Sequence, residues 1–231
     1  LQEARAAGTV TDGRLPAKRW IDRQEELAFA LRSGSLSALN WHDEVNRIAG
    51  EVDVDELMVE TSRGLVTTAG APFMRDPVKR RIRFLNEDGQ ARHLSYAAAT
   101  FTFGPENVIT PHGHKHMASA HMVVGGKVRI RTFDRISDEE NALVIRPTGD
   151  HIGEVGSAAA MTTAKDNIHW FSPITSRSVT FDVIVDGLDQ GQEAYLIQPV
   201  DPLAGLHRSD GTIVAPILTF EESMNRYPAQ V

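Results

Sequence analysis

The chain has 231 residues, 41% of them hydrophobic and 24% charged, with a formal net charge of −7 and no cysteine. This composition predicts a folded, soluble protein made of one large domain or of a core with an extension, and it excludes a disordered chain. The acidic balance excludes nucleic acid and anionic membrane surfaces as general partners, the missing thiols exclude disulfides and thiolate metal sites, and no run approaches the roughly 18 apolar residues of a membrane span.

Residues 1–15 contain Gly8 and Gly13 without sustained periodicity and are expected to form a mobile arm. From Pro16, a residue suited to a first helical turn, Trp20, Leu27 and Leu31 recur on one helical face up to Gly34. A second helix is expected from an N-cap at Asn40 through Val45 and Ile48 to Gly50, and a short third one from Asp53 or Asp55 over Leu57 and Met58. After Gly64 the texture changes to short β-rich runs divided by Gly, Pro, Asn and Asp. Runs 78–85 and 93–103 flank Asp88-Gly89, a strong hairpin signal, and the basic stretch Lys79-Arg80-Arg81 with Arg83 reads as a solvated strand face.

Further runs at 107–114, 119–124, 127–133, 142–146, 158–163, 168–171, 178–185 and 193–198 make about ten short strands at regular spacing. They predict a mainly β fold, a sandwich or a double-sheet barrel. The expected divisions are an arm and α-helical N-terminal extension over 1–63, the barrel over 64–200, and a C-terminal tail over 201–231 that packs on the barrel. That tail has a turn at Ser209-Asp210-Gly211, a strand from Ile213 and a helical turn near Glu221.

Residues 111–126 read PHGHKHMASAHMVVGG. Residues i and i+2 of a strand share a face, where two imidazoles can hold one ion at about 2.0–2.1 Å. His112/His114 and His114/His116 both form such a pair, and His169, at the start of the apolar run IHWF, is the best third ligand. Three imidazoles leave coordination positions open, as catalytic rather than closed structural sites do.

The H-x-H pair, with Gly126 twelve residues beyond His114, resembles the first motif of the cupin superfamily, the cupin-type double-stranded β-helix (jelly-roll) barrels. That resemblance implies His112, His114 and His169 as metal ligands, with Ser119 where many cupins place a carboxylate and a hairpin closing at the diglycine. In the other register His114, His116, His121 and His169 are the ligands, His121 takes the carboxylate position, and Val128 falls where the glycine belongs. In the first register His121 shares a strand face with Ser119 and lines the cavity, and His116 falls in an exposed loop.

Within the cupins, PHGHKHM…VVGG and DNIHWFSPITSRSVTFDVIV are similar to the cysteamine dioxygenase and plant cysteine oxidase family of thiol dioxygenases, which use three histidines and no acidic ligand. The resemblance implies Fe(II) at the site, with Ni, Mn, Zn or Cu as alternatives, and O2 and a small thiol as substrates, giving a sulfinate. It aligns Asp182 with the family's buried aspartate, which orients a substrate amine or a ligand histidine. Asp182 and His121 are therefore the candidate catalytic residues. Asp186-Gly187-Leu188 stands where the family has a PPY-like turn, Asp166 replaces the Gly before Asn167, and Lys115-His116 replaces Pro-Gly.

A different three- or four-histidine cupin cleaves a carbon–carbon bond of an enolisable substrate, for which Phe101, Phe103, Met122, Phe171 and Phe181 would form an apolar wall. A third reading is a non-catalytic metal- or small-molecule-binding cupin. His42 reads as a surface or cap residue, His93 as structural, Asp150-His151 as an exposed turn and His207 as surface. A monomer or homodimer is expected, in the cytoplasm, with export to the periplasm as the alternative because the chain begins with Leu1 rather than Met.

Overall fold

The computed structural model describes residues 14–68 and 71–229. Residues 1–13, most of the expected arm, lie outside them, and Leu15 joins Val52 in an isolated parallel bridge. Three helices follow: α1 (Ala17–Arg32) behind Pro16, α2 (Ala38–Ala49) and α3 (Val54–Arg63). The cap of α2 is Ser37 rather than Asn40: its side chain accepts the Asn40 N–H and satisfies a first-turn donor that the helix cannot. Asp53 caps α3 in the same way through the Glu56 N–H.

Among the described residues thirteen strands follow in chain order, β1 (Leu65–Thr68), β2 (Val78–Arg83), β3 (Ala97–Phe103), β4 (Ile109–Lys115), β5 (Ala118–Gly125), β6 (Val128–Asp138) and β7 (Ala142–Gly153) being the first seven. The rest are β8 (Ala158–Met161), β9 (Ile168–Pro173), β10 (Ser178–Val185), β11 (Leu196–Pro199), β12 (Leu206–His207) and β13 (Ile213–Pro216), before a closing helix α4 (Phe220–Arg226). They form two antiparallel sheets, ordered β1-β2-β3-β10-β5-β8 and β11-β4-β9-β6-β7-β13-β12. This is the double-sheet barrel expected from strand spacing and the jelly roll that the resemblance implied: from β3 to β11 the chain crosses from one sheet to the other at each step except β6–β7, and the sheets enclose an interior. Among the described residues no helix is long and apolar enough to cross a membrane.

Alternation along the strands separates the interior from the outer cores. Phe103, Val123, Val128, Ile130 and Phe171 point between the sheets. Ile82, Phe84, Met122 and Phe181 point outward from the six-stranded sheet and pack against Trp20, Trp41, Ile48 and Leu57 of the helices. Met122 and Phe181 are therefore not pocket walls, because each sits one residue from an inward-facing neighbour, His121 or Asp182. Trp20 and Trp41 are at most 1% exposed, and burial of an indole contributes about 4–6 kcal/mol at ~25 cal/mol per Å².

Two local readings are corrected by the topology. Gly125-Gly126 does not close a hairpin, because β5 and β6 belong to opposite sheets and Gly126 turns the corner between them. A Cβ there would lie 2.4 Å from the Arg177 carbonyl oxygen, and its φ of 68° already favours glycine. Asp150 and His151 lie within β7, opposite Arg131 and Ile130, rather than in a turn. Arg129 holds Asp150 at 2.8 Å, so the residues that looked like a loop are the exposed face of a long strand.

Candidate metal centre

β4 and β9 are neighbours in the seven-stranded sheet, and their register places His112 directly opposite His169. His114, two residues on, shares the inward face of β4. The intervening Gly113 lets the chain pass close to Asn167, since a Cβ there would meet Asn167 Oδ1 at 2.9 Å. Asn167 is itself buried and donates to the His114 carbonyl (2.8 Å) and the Thr162 carbonyl (3.1 Å), tying the approach to β9 onto β4. One candidate ligand atom from each of His112, His114 and His169 lies within 4.8 Å of the others. Ring centroids are 4.2 Å apart for His112 and His169, and 5.0 Å for His112 and His114.

The protonation pattern suits a cation. His112 Nδ1–H donates to the Thr110 carbonyl at 2.8 Å, which leaves its Nε2 as a bare lone pair facing His114 Nε2 at 3.1 Å. Two ligand nitrogens each about 2.0–2.1 Å from one ion lie about 3 Å apart, so an ion between them satisfies both. Burial, with the neighbouring His121, pulls the His112 imidazole down to about 4 against the lift from the Thr110 carbonyl. Burial and the other imidazoles hold His114 and His169 well below the ordinary histidine value. All three are neutral at pH 7, the form that binds metal. The residues present fit a divalent ion.

His121 comes from the opposite sheet. Its ring centroid is 5.4 Å from that of His169 and 4.8 Å from that of Phe171. Behind it the fully buried Asp182, its register partner on β10, places a carboxylate oxygen against His121 Nδ1 in an ion-pair contact. Asp182 thus touches His121 and none of the three clustered imidazoles. Ser119 lies on the same face, buried, with no hydrogen-bond partner for its hydroxyl. His116 has φ 64° in the β4–β5 turn, and its Nδ1 bonds Asp189 at 2.6 Å outside the cluster.

The histidines line a cavity of about 170 Å³, similar to the ~150 Å³ that holds a benzene-sized molecule. Phe101, Ile109, Met117, Ile184 and Ile197 form its apolar wall, with Phe220 and Met224 of α4 at one side. Arg75 fixes α4 there by donating to the carbonyls of Met224 and Tyr227. Phe103 belongs to the barrel core, and Phe171 contacts His121 and His169 edge-on or tilted.

Three residues lie elsewhere than the sequence suggested or were not singled out. Lys79 is half-buried in the cavity, with its Nζ 5.1 Å from the Phe101 ring centroid, rather than on a solvated face. Burial lowers its ammonium below the ordinary lysine value and the Asp182 carboxylate partly offsets this. Asp76 also lines the cavity, and burial raises its carboxyl to about 6. His42, expected at the surface, is 2% exposed and bonds Asp43 and Asp166 through its two ring nitrogens, each at 2.9 Å. The signal available for Lys79 was parity. Ile82 and Phe84 set the helix-packed face of that segment, so Lys79 and Arg81 must occupy the other.

No family model matches the sequence. No curated protein matches it either. Among solved structures, procruciferin, the 11S globulin from Brassica napus, is similar with a TM-score of 0.39 and 10% identity over 57% of this chain and 29% of that one. Oxalate oxidase is similar at 0.37 and 12% identity, over 54% of this chain and 58% of that one. KdgF from Halomonas sp. is similar at 0.35 and 13% identity, over 51% and 84%. The matched part is under two thirds of the globulin and of the oxalate oxidase, and likenesses of this size carry no argument about activity.

Proposed function

We propose that His112, His114 and His169 form a catalytic metal centre and that the protein oxidises a small thiol to a sulfinate with O2. The observation that carries this reading is the convergence of three neutral imidazoles, His114 and His169 buried and His112 partly so, on a small cavity in which Ser119 stands in place of an acidic ligand. Without a carboxylate the ligand set adds no negative charge, so a divalent ion keeps its full charge toward an anionic partner such as a thiolate. Iron(II), when bound there, supplies Lewis acidity and one-electron redox chemistry.

The chain's own residues supply the rest. His121, which lines the cavity and is backed by the buried carboxylate of Asp182, is the base that takes the thiol proton. The wall of Phe101, Met117, Ile184 and Ile197 excludes water and orients a short aliphatic substrate. In balance, a thiol and one O2 give one sulfinic acid: sulfur loses four electrons, dioxygen gains four, and both oxygen atoms end on sulfur.

The same apolar wall favours a second reading, cleavage of a carbon–carbon bond in an enolisable substrate. An oxygen electrode separates the two. Iron-loaded protein that consumes O2 with small thiols and yields sulfinate by mass spectrometry supports the first; consumption only with β-diketones supports the second. No consumption with either class contradicts both and leaves a binding protein.

A further inference from the structure

We propose that Lys79 is the anion receptor of the cavity: the substrate carries a carboxylate besides the group that meets the histidines, and Lys79 holds that carboxylate. The inference rests on reading the histidine cluster as a metal centre for a small substrate. Lys79 lies on β2, one strand in from the edge of the six-stranded sheet and just beyond the last residue paired with β1, opposite Phe101 in the β2–β3 register, and reaches into the cavity across the face of that ring. It has no carboxylate within 4.0 Å among the described residues, although most cations that give up water are paired. Asp182, whose charge acts on it, is already engaged with His121 behind the wall.

Arg81, the next residue on the same face of β2, extends the same surface outward. An adjoining cavity of about 150 Å³ shares Lys79, Met117, Ile184 and Ile197 with the first and adds Arg81 and Tyr195. Its carboxylate, Asp186, faces Arg32 at 3.6 Å. The way in therefore passes from an exposed guanidinium to a half-buried ammonium and then to the histidines. Such a sequence draws in an anion with an apolar middle and two ends, one for Lys79 and one for the metal. A carboxylate seated on Lys79 also relieves the cost that burial imposes on its ammonium.

The test is titration calorimetry on the full chain loaded with Co(II), using three probes: 3-mercaptopropionate, 1-propanethiol, which keeps the thiol and three carbons without the carboxylate, and succinate, which has a second carboxylate in place of the thiol. Wild-type protein is expected to bind 3-mercaptopropionate about 10- to 100-fold more tightly than 1-propanethiol, the range of one charge-assisted hydrogen bond. Lys79→Met removes that preference, Lys79→Arg keeps most of it, and Lys79→Gln repeats the loss with a polar tip in place. If neither thiol binds but succinate does so in a Lys79-dependent manner, the thiol reading fails and the receptor stands. A carboxylate preference that survives in Lys79→Met and Lys79→Gln, or wild-type protein that binds neither carboxylate, overturns the proposal.

Discussion

Replacing His42 by Ala tests how a helix outside the barrel positions the third histidine. Both ring nitrogens of His42 face carboxylates, Asp43 and Asp166, and Asp166 lies three residues before His169. Burial pulls the His42 imidazole down, but its hydrogen bonds to Asp166 and Asp43 outweigh that and hold it above the ordinary value of 6.5. Asp166, which burial pushes up, is held below its ordinary 3.8 by His42 and Thr148. Asp43 is mostly exposed and contributes little, so the loss is that of one charged, largely buried bond to Asp166, about 2 kcal/mol. For a chain of this size that lowers the melting temperature by about 4–8 °C. The sign with pH follows from the two shifts. A raised histidine stabilises fully below 6.5 and loses its effect as pH rises through its folded value, whereas a depressed aspartate loses its effect as pH falls through its own. Thermal melts of wild type and His42→Ala should differ most near about pH 5.5 and converge toward about pH 9. An equal difference at both pH values would show that the imidazole acts by packing alone and refute the ionic tie.

Gly113→Val forces a side chain onto Asn167 and Ile168 and should weaken metal binding by about 10- to 100-fold, measured by competition with a chelator, as disturbance of outer-sphere positioning does. Trp41→Ala empties a fully buried site between α2 and the six-stranded sheet and should cost about 3–5 kcal/mol in urea unfolding. Tyr227→Phe removes the buried hydroxyl bond to the Asp201 carboxylate at 2.5 Å and should cost about 1.5–3 kcal/mol by the same assay.

The helices and strands were legible because their signals are local. Period-3.6 apolar spacing marks Trp20, Leu27 and Leu31, Asp53 caps its helix, and Asp88-Gly89 joins β2 to β3. His169 stood out as a third ligand by opening an apolar run, the choice of His112 over His116 followed from a resemblance, and nothing within either strand encodes the register that sets His112 opposite His169. The misreadings share a cause, which is contact between distant segments. His42 looks exposed until Asp166, 124 residues later, is placed beside it. Lys79 looks solvated because a basic run is usually an outer face, but here the helices cover that outer face and leave the inner one to Lys79 and Arg81. The diglycine looks like a hairpin because a corner between sheets and a hairpin use the same residues, and only strand pairing tells them apart.

The central claim, that His112, His114 and His169 hold the metal, is tested most directly by metal analysis of purified single variants. His112→Ala, His114→Ala and His169→Ala are expected to lose bound iron, while His116→Ala, whose ring is on Asp189, and His121→Ala, whose ring is on Asp182, retain it. Loss of metal in His116→Ala together with retention in His112→Ala would contradict the account and shift the site to the other pair of histidines.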